Sequence, residues 1–267
     1  MRKTFHFSLQ HKEFLRREKK KRISVHLVRI LLLFLFLSLW EILARLNVID
    51  AFLTSSPSGI VAAIRDLLNT DSFSKHVFTT LYETVTGFLI ATFAGGAVAL
   101  VLWWSSFLRK VLEPYLIVLN SLPKIALGPI IIIWFGSGAK AIIFMAVIIT
   151  VIVTIIGMLN GFLSCDEGKI MLLRSMGANR FQILTKLVLP SSLPTFISCL
   201  KINVGMSWIG SIMGEYLSSK QGIGFLIVYG GQVFKLDLVM ASTAVLCVLA
   251  GGMYAIVSLL EKLLVKQ

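Results

Sequence analysis

The chain has 267 residues, 57% of them apolar or aromatic (AVILMFWYC) and only 15% charged, with a mean hydropathy of +0.87. Soluble domains average about 45–50% apolar and about 25% charged, so this surplus exceeds what one water-soluble core can bury, and a disordered chain would show the reverse composition. A soluble enzyme is excluded, and the +13 net charge belongs to the connecting segments of an integral membrane protein.

Residues 1–22 form a basic tail with nine cations (Arg2, Lys3, Lys12, Arg16, Arg17, Lys19, Lys20, Lys21, Arg22) against Glu13 and Glu18. Such a run could bind nucleic acid. Its place directly before an apolar segment makes it a cytoplasmic topology anchor drawn to anionic lipid, with no nucleic-acid partner. Residues 23–267 read as the transmembrane domain.

A hydrocarbon core of about 30 Å requires about 20 helical residues, and six segments meet that need. The first covers about 27–46, with Arg29 and Glu41 near its ends, where long side chains snorkel to the headgroups. The second and fourth, about 84–106 and 141–163, carry no charged residue, nor does the sixth, about 238–260. The third, about 113–135, contains Pro123, Lys124 and Pro129, and each proline disfavours helix at the residue before it. Pro123 and Pro129 therefore predict a kink or gate. The fifth, about 194–214, carries Lys201, close enough to one face to snorkel.

An amphipathic helix is expected after Ser55-Ser56-Pro57-Ser58. Gln221 to Phe234 is uncharged but too short to span, and reads as re-entrant or interfacial. With the N-terminus inside, the cytoplasmic segments carry 17 cations and the outer ones five, so both termini are expected in the cytoplasm. The fold class is all-α, a polytopic membrane protein.

Cys165, Cys199 and Cys247 suggest neither a disulfide framework nor a metal site, and His6, His11, His26 and His76 form no ligand cluster. Gly136-Ser137-Gly138-Ala139-Lys140 lacks the spacing of a phosphate loop. No cofactor, metal or catalytic residue is expected in this chain, and ATP chemistry would need another one.

Residues 164–190 read as a rigid cytoplasmic elbow. Ser164 to Glu167 fits a capping box, with Ile170, Leu173 and Met176 as an apolar stripe. Gly177 supplies the left-handed residue that ends the first helix. Asn179, with Gln182 three residues on, caps a second helix with stripe Phe181, Leu184 and Val188, and Pro190 is expected to stop it. An elbow with this pattern, with Lys169, Arg174, Arg180 and Lys186 on it, rests on the membrane surface or docks on a soluble partner.

Leu173-Arg174-Ser175-Met176-Gly177-Ala178-Asn179-Arg180-Phe181 through Leu187-Val188-Leu189-Pro190 resembles the "EAA" loop of ABC-importer permeases. Gly177 and Leu189-Pro190 fall in register, Leu187 takes the isoleucine position, and Met171-Leu172-Leu173 stand where the pattern has E-A-A. Leu122 to Pro129 before Trp134-Phe135-Gly136, and Gly214 to Leu217 before Gly222 to Ile227, resemble the nitrate/sulfonate/taurine-type branch. The resemblance implies a type I permease, working as a pair with cytoplasmic ATPase subunits and an external substrate-binding protein. It implies ATPase coupling through Lys169, Leu172, Leu173, Arg174, Met176, Gly177, Ala178, Arg180 and Phe181. Polar groups inside spans are costly and thus functional candidates, which singles out Asn120, Ser121, Asn203, Trp208 and Glu215 for the substrate path. The competing reading is an ion-coupled secondary carrier relying on Glu83, Glu215 and Glu41.

Overall fold

A computed structural model describes residues 9–70 and 72–264; Arg2 and Lys3 of the basic tail lie outside the described residues. Twelve α-helices are present among them and no strand: α1 (Leu9–Arg45), α2 (Ala51–Thr54), α3 (Pro57–Leu68), α4 (Phe73–Trp104), α5 (Ser106–Ser121), α6 (Gly128–Phe135), α7 (Ala139–Leu163), α8 (Glu167–Ser175), α9 (Arg180–Ile183), α10 (Leu189–Ser218), α11 (Ile223–Gln232) and α12 (Leu236–Leu264). The chain divides into two compact units at Ala63 and Ile64.

In the first unit, tail and first span are one helix, because the Lys- and Arg-rich run has good helix propensity and no breaker separates it from Leu27. The apolar side chains from Ile30 to Phe36 are all exposed, as suits a helix solvated by lipid. Glu41 does not merely snorkel. Its Oε1 accepts from Arg45 Nε at 2.7 Å and its Oε2 from the Ser58 amide at 3.0 Å, tying the end of α1 to the start of α3.

The second unit is built on α4, α7 and α10. Lipid tails are as apolar as leucine, so membrane helices associate through close packing of small residues and through hydrogen bonds. Both are present. Ala146 on α7 is held between two glycines: a Cβ at Gly87 would lie 2.6 Å from Ala146 Cβ, and one at Gly210 would lie 2.5 Å from Ala146 Cα. Between the same helices Thr84 and Ser211 hydroxyls meet at 2.6 Å, Thr150 and Ser207 at 3.3 Å, and Asn203 Nδ2 donates to Thr92 Oγ1 at 3.2 Å. Gly210→Ala is expected to push α7 from α10 at a cost of about 1–3 kcal/mol, read as a lower melting temperature of the purified protein; an unchanged melting temperature would refute the tight seam.

Lys201 is paired rather than snorkelled, since Nζ lies 2.6 Å from Glu261 Oε2 and bridges α10 to α12. The segment with the two prolines is not one straight span. α5 ends at Ser121, Pro123 precedes a 3-10 turn at Lys124–Leu127, and α6 leaves at 84° to α5. Pro129 sits in the first turn of α6, where its missing N–H costs nothing. The short uncharged segment after Gln221 is α11, apolar but only ten residues long.

Candidate functional site: the elbow and the far end of the bundle

The cap of the elbow lies two residues later than the sequence suggests. Asp166, not Ser164, is the cap: its Oδ1 accepts from the amides of Gly168 and Lys169 at 2.7 and 3.3 Å. Ser164 instead closes α7 and donates to the Gly161 carbonyl. A carboxylate competes well for this position because it also meets the positive end of the helix dipole.

Gly177 has φ +82°, and the Ala178 amide reaches back to the Leu173 carbonyl at 2.9 Å, closing α8 with a left-handed turn. Asn179 and Gln182 then form a reciprocal capping box, with Gln182 N to Asn179 Oδ1 at 2.8 Å and Asn179 N to Gln182 Oε1 at 2.9 Å.

Pro190 does not stop the second helix. A π turn at Leu184–Val188 carries the helical path from α9 into α10, so that 39 residues from Arg180 to Ser218 run without interruption. The physical reason is register. In an α-helix the proline ring strikes the carbonyl four residues back, whereas here the Leu189 amide bonds to Leu184, five back, and the wider turn makes room. The elbow is thus continuous with the transmembrane helix that packs against α7 and α4.

The two faces of the elbow differ. Ile183, Leu184 and Val188 are buried in a cluster with Ala99, Leu102, Leu159 and Phe162, and Ile170, Leu173 and Ala178 pack against it. Met171, Leu172, Met176 and Phe181 are all more than 60% exposed. Of the two apolar stripes read from the spacing, Ile170, Leu173, Leu184 and Val188 pack inward, whereas Met176 and Phe181 face outward and Ile183 takes the remaining core position. Lys169, Arg174, Gly177 and Arg180 are exposed as well. Of the nine residues assigned to coupling, Leu173 and Ala178 pack against the core, Arg174 and Arg180 line a cleft with Trp104 and Arg109, and Lys169, Leu172, Met176, Gly177 and Phe181 are exposed.

The polar candidates for the path separate into two groups. Asn120 and Ser121 are exposed at the end of α5, where Lys124 Nζ reaches the Asn120 carbonyl at 3.1 Å. Asn203, Trp208 and Glu215 are buried along α10. Asn203 holds Thr92, and Trp208 Nε1 has no hydrogen-bond partner.

Glu215 belongs to a cluster at the opposite end of α4 from the elbow. Three consecutive amides at the start of α11 are each taken by a distant side chain: Gly222 N by His76 Nδ1 at 3.0 Å, Ile223 N by Thr80 Oγ1 at 2.8 Å, and Gly224 N by Glu215 Oε2 at 2.6 Å. These are the amides that a helix start leaves without internal partners. Glu83, buried beside Glu215, completes the group. The sequence signal for it was the spacing of His76, Thr80 and Glu83 at i, i+4 and i+7, one face of a helix, opposite a Gly-x-Gly helix start. Among the described residues no group of three or more His, Cys, Asp or Glu could hold a metal ion.

The chain is similar in sequence and fold to known proteins. The family described as binding-protein-dependent transport system inner membrane component matches residues 85–267. The chain is 30% identical over 187 residues to the formylaminopyrimidine transport permease protein ThiX of Halalkalibacterium halodurans, covering 70% of this chain and 74% of that one. It is 24% identical over 230 residues to the putative aliphatic sulfonates transport permease protein SsuC of Bacillus subtilis, covering 86% and 83%. The fold is similar to that of a chain in the inward-facing MetNI methionine ABC transporter, with a TM-score of 0.65 at 19% identity over 73% of this chain and 97% of that chain.

Proposed function

Starting from a chain that belongs to the family of binding-protein-dependent transport system inner membrane components, we propose that its exposed elbow face is the seat of a cytoplasmic ATPase subunit and that its bundle forms half of a path for a small solute. The chain is a membrane-embedded transport permease of the ABC type; ATP hydrolysis belongs to a separate subunit, and solute arrives on an external binding protein. The observation that carries the coupling assignment is the row of exposed Met171, Leu172, Met176 and Phe181 on a helix pair fixed by two caps and rooted in the core. Exposed apolar groups at this density mark a docking surface.

The mechanism is alternating access. Closure of the ATPase pair would push on the elbow, and the uninterrupted helix from Arg180 to Ser218 would carry the displacement to Glu215 and the start of α11. Two copies of the permease would face each other across the path, with both termini in the cytoplasm, as the 17-to-five charge bias favours. Asn120 and Ser121, exposed beside the break at Pro123, are proposed to touch the solute. Asn203, Trp208 and Glu215 would act on the path from behind, by holding α10 to its neighbours. Pro123 and Pro129 would let α6 swing relative to α5 as a gate.

The test is co-purification of the ATPase subunit with wild type and with Leu172→Asp. Leu172 is 61% exposed, whereas Leu173 packs on the core, so the Leu172 variant leaves the fold intact. Loss of the ATPase with unchanged permease abundance is expected. Full retention would remove the elbow from the coupling role.

A further inference from the structure

Behind the elbow, on the side away from its exposed apolar row, lies a cleft of about 270 Å³ whose walls include Trp104, Ser106, Arg109, Leu163, Arg174 and Arg180. The walls come from the end of α4, the start of α5, the end of α7, and α8 and α9. Three arginines thus line one small space. Among the described residues the ion pairs are Arg45 with Glu41 and Lys201 with Glu261, so none of the three is in an ion pair. Arg180 spends one N–H on the Trp104 carbonyl at 3.1 Å, and a guanidinium has five. The start of α5 at Ser106 adds the positive end of a helix dipole.

The rest of the wall is apolar. Trp104 is 43% and Leu163 44% exposed, and they are the last residues of α4 and α7, two helices of membrane length. They mark the level at which hydrocarbon gives way to headgroups, where tryptophan is enriched. Val101, one turn before Trp104, is 53% exposed and continues the apolar surface along α4. A cleft with arginines at one rim and membrane-level apolar side chains at the other complements an amphiphile.

From these features we propose that Arg109, Arg174 and Arg180 bind the phosphate of an anionic phospholipid, whose acyl chains lie against the exposed side of α4 and α7. Arginine forks pair with phosphate oxygens in bidentate fashion, and basic pockets between transmembrane helices at the headgroup level hold anionic lipids. A protein carboxylate is the poorer occupant. Ile170 and Arg174 share one face of α8, while Met171 and Leu172 lie about 100° and 200° further round the helix, so the cleft and the docking row point in different directions. The inference goes beyond the coupling assignment and does not depend on it; it gives Arg174 and Arg180 to the lipid and leaves the coupling face to the exposed apolar row.

The test is lipid binding to the purified complex in detergent, read by native mass spectrometry and by titration. The lipids are phosphatidylglycerol and phosphatidylcholine, with inorganic phosphate as competitor. Wild type is compared with the triple variant Arg109→Gln, Arg174→Gln, Arg180→Gln and with the triple lysine variant, which keeps the charge and loses the fork. Expected results are a preference for phosphatidylglycerol of at least tenfold, its loss in the glutamine variant and partial retention in the lysine variant, with millimolar phosphate unable to displace the lipid. Equal binding of the two lipids, or unchanged phosphatidylglycerol binding in the glutamine variant, would overturn the proposal. Ready displacement by phosphate would make the cleft a free-anion site and overturn the lipid assignment. Loss of the ATPase subunit with unchanged lipid binding would assign the arginines to that interface instead. Should the triple variants fail to assemble, Arg174→Gln alone, whose side chain is exposed, is expected to weaken phosphatidylglycerol binding severalfold; no change would equally overturn it.

Discussion

Gly177→Asp is expected to release the ATPase subunit from the complex while the permease still inserts and accumulates at the wild-type level. The backbone argument comes first. Gly177 sits at φ +82°, a left-handed conformation, and a Cβ there would meet nothing within 4 Å. Aspartate is among the side chains that visit this region most readily, so the folding cost is about 1–2 kcal/mol per residue at most and falls on an exposed turn. The electrostatic argument sets the size of the effect. Gly177 lies between Met176 and Ala178, next to the exposed row proposed as the docking face. A carboxylate enclosed there without a partner costs about 3–5 kcal/mol, a loss of roughly two to three and a half orders of magnitude in affinity at about 1.4 kcal/mol per tenfold. Gly177→Asn imposes the same backbone conformation without the charge and is expected to keep most of the ATPase. Co-purification from membranes, with the permease quantified in parallel, reads both variants. An Asp variant that retains the subunit as well as wild type does would mean that the docking face lies elsewhere.

How far the sequence revealed this molecule depended on whether a residue's partners were near it in the chain. Transmembrane segments show in composition alone, because a charge-free run of 20 or more residues has few other uses. The left-handed turn at Gly177 and the capping box of Asn179 with Gln182 are local, and they appear in the structure as the spacing implied. The helix cap was misplaced by two residues, since Ser164 and Asp166 both fit and the choice depends on where α7 ends. Pro190 was misread for a related reason. Proline forbids an α-helical hydrogen bond, but it does not forbid a π turn, and the register that tolerates it is set by the burial of Leu184 and Val188 against α4 and α7. The cluster at the start of α11 was the least legible. His76, Thr80 and Glu215 lie up to 146 residues from the amides they accept from, and no local rule connects them.

That cluster gives the second large effect, Gly222→Ala, which is expected to detach the start of α11 from the bundle. Gly222 has φ +111°, outside the conformations an alanine adopts at ease, and its Cβ would fall on the carboxylate of Glu215. Backbone strain of this kind costs about 1–3 kcal/mol. The collision adds to it, because Glu215 is held by the Gly224 amide at 2.6 Å and cannot withdraw without orphaning a buried donor. A total of about 3 kcal/mol corresponds to a fall in melting temperature of roughly 6–12 °C for a chain of this size. A double-mutant cycle separates the two contributions. Glu215→Ala alone is expected to destabilise by leaving the Gly224 amide unpaired, yet in combination with Gly222→Ala it removes the obstacle, so the two costs should sum to more than the double variant shows. Additive costs would mean that the strained φ alone matters and that the carboxylate does not fix α11. A less-than-additive result would tie α11 to Glu215 through contact, which is what the proposed transmission from the elbow along the helix from Arg180 to Ser218 requires at its far end.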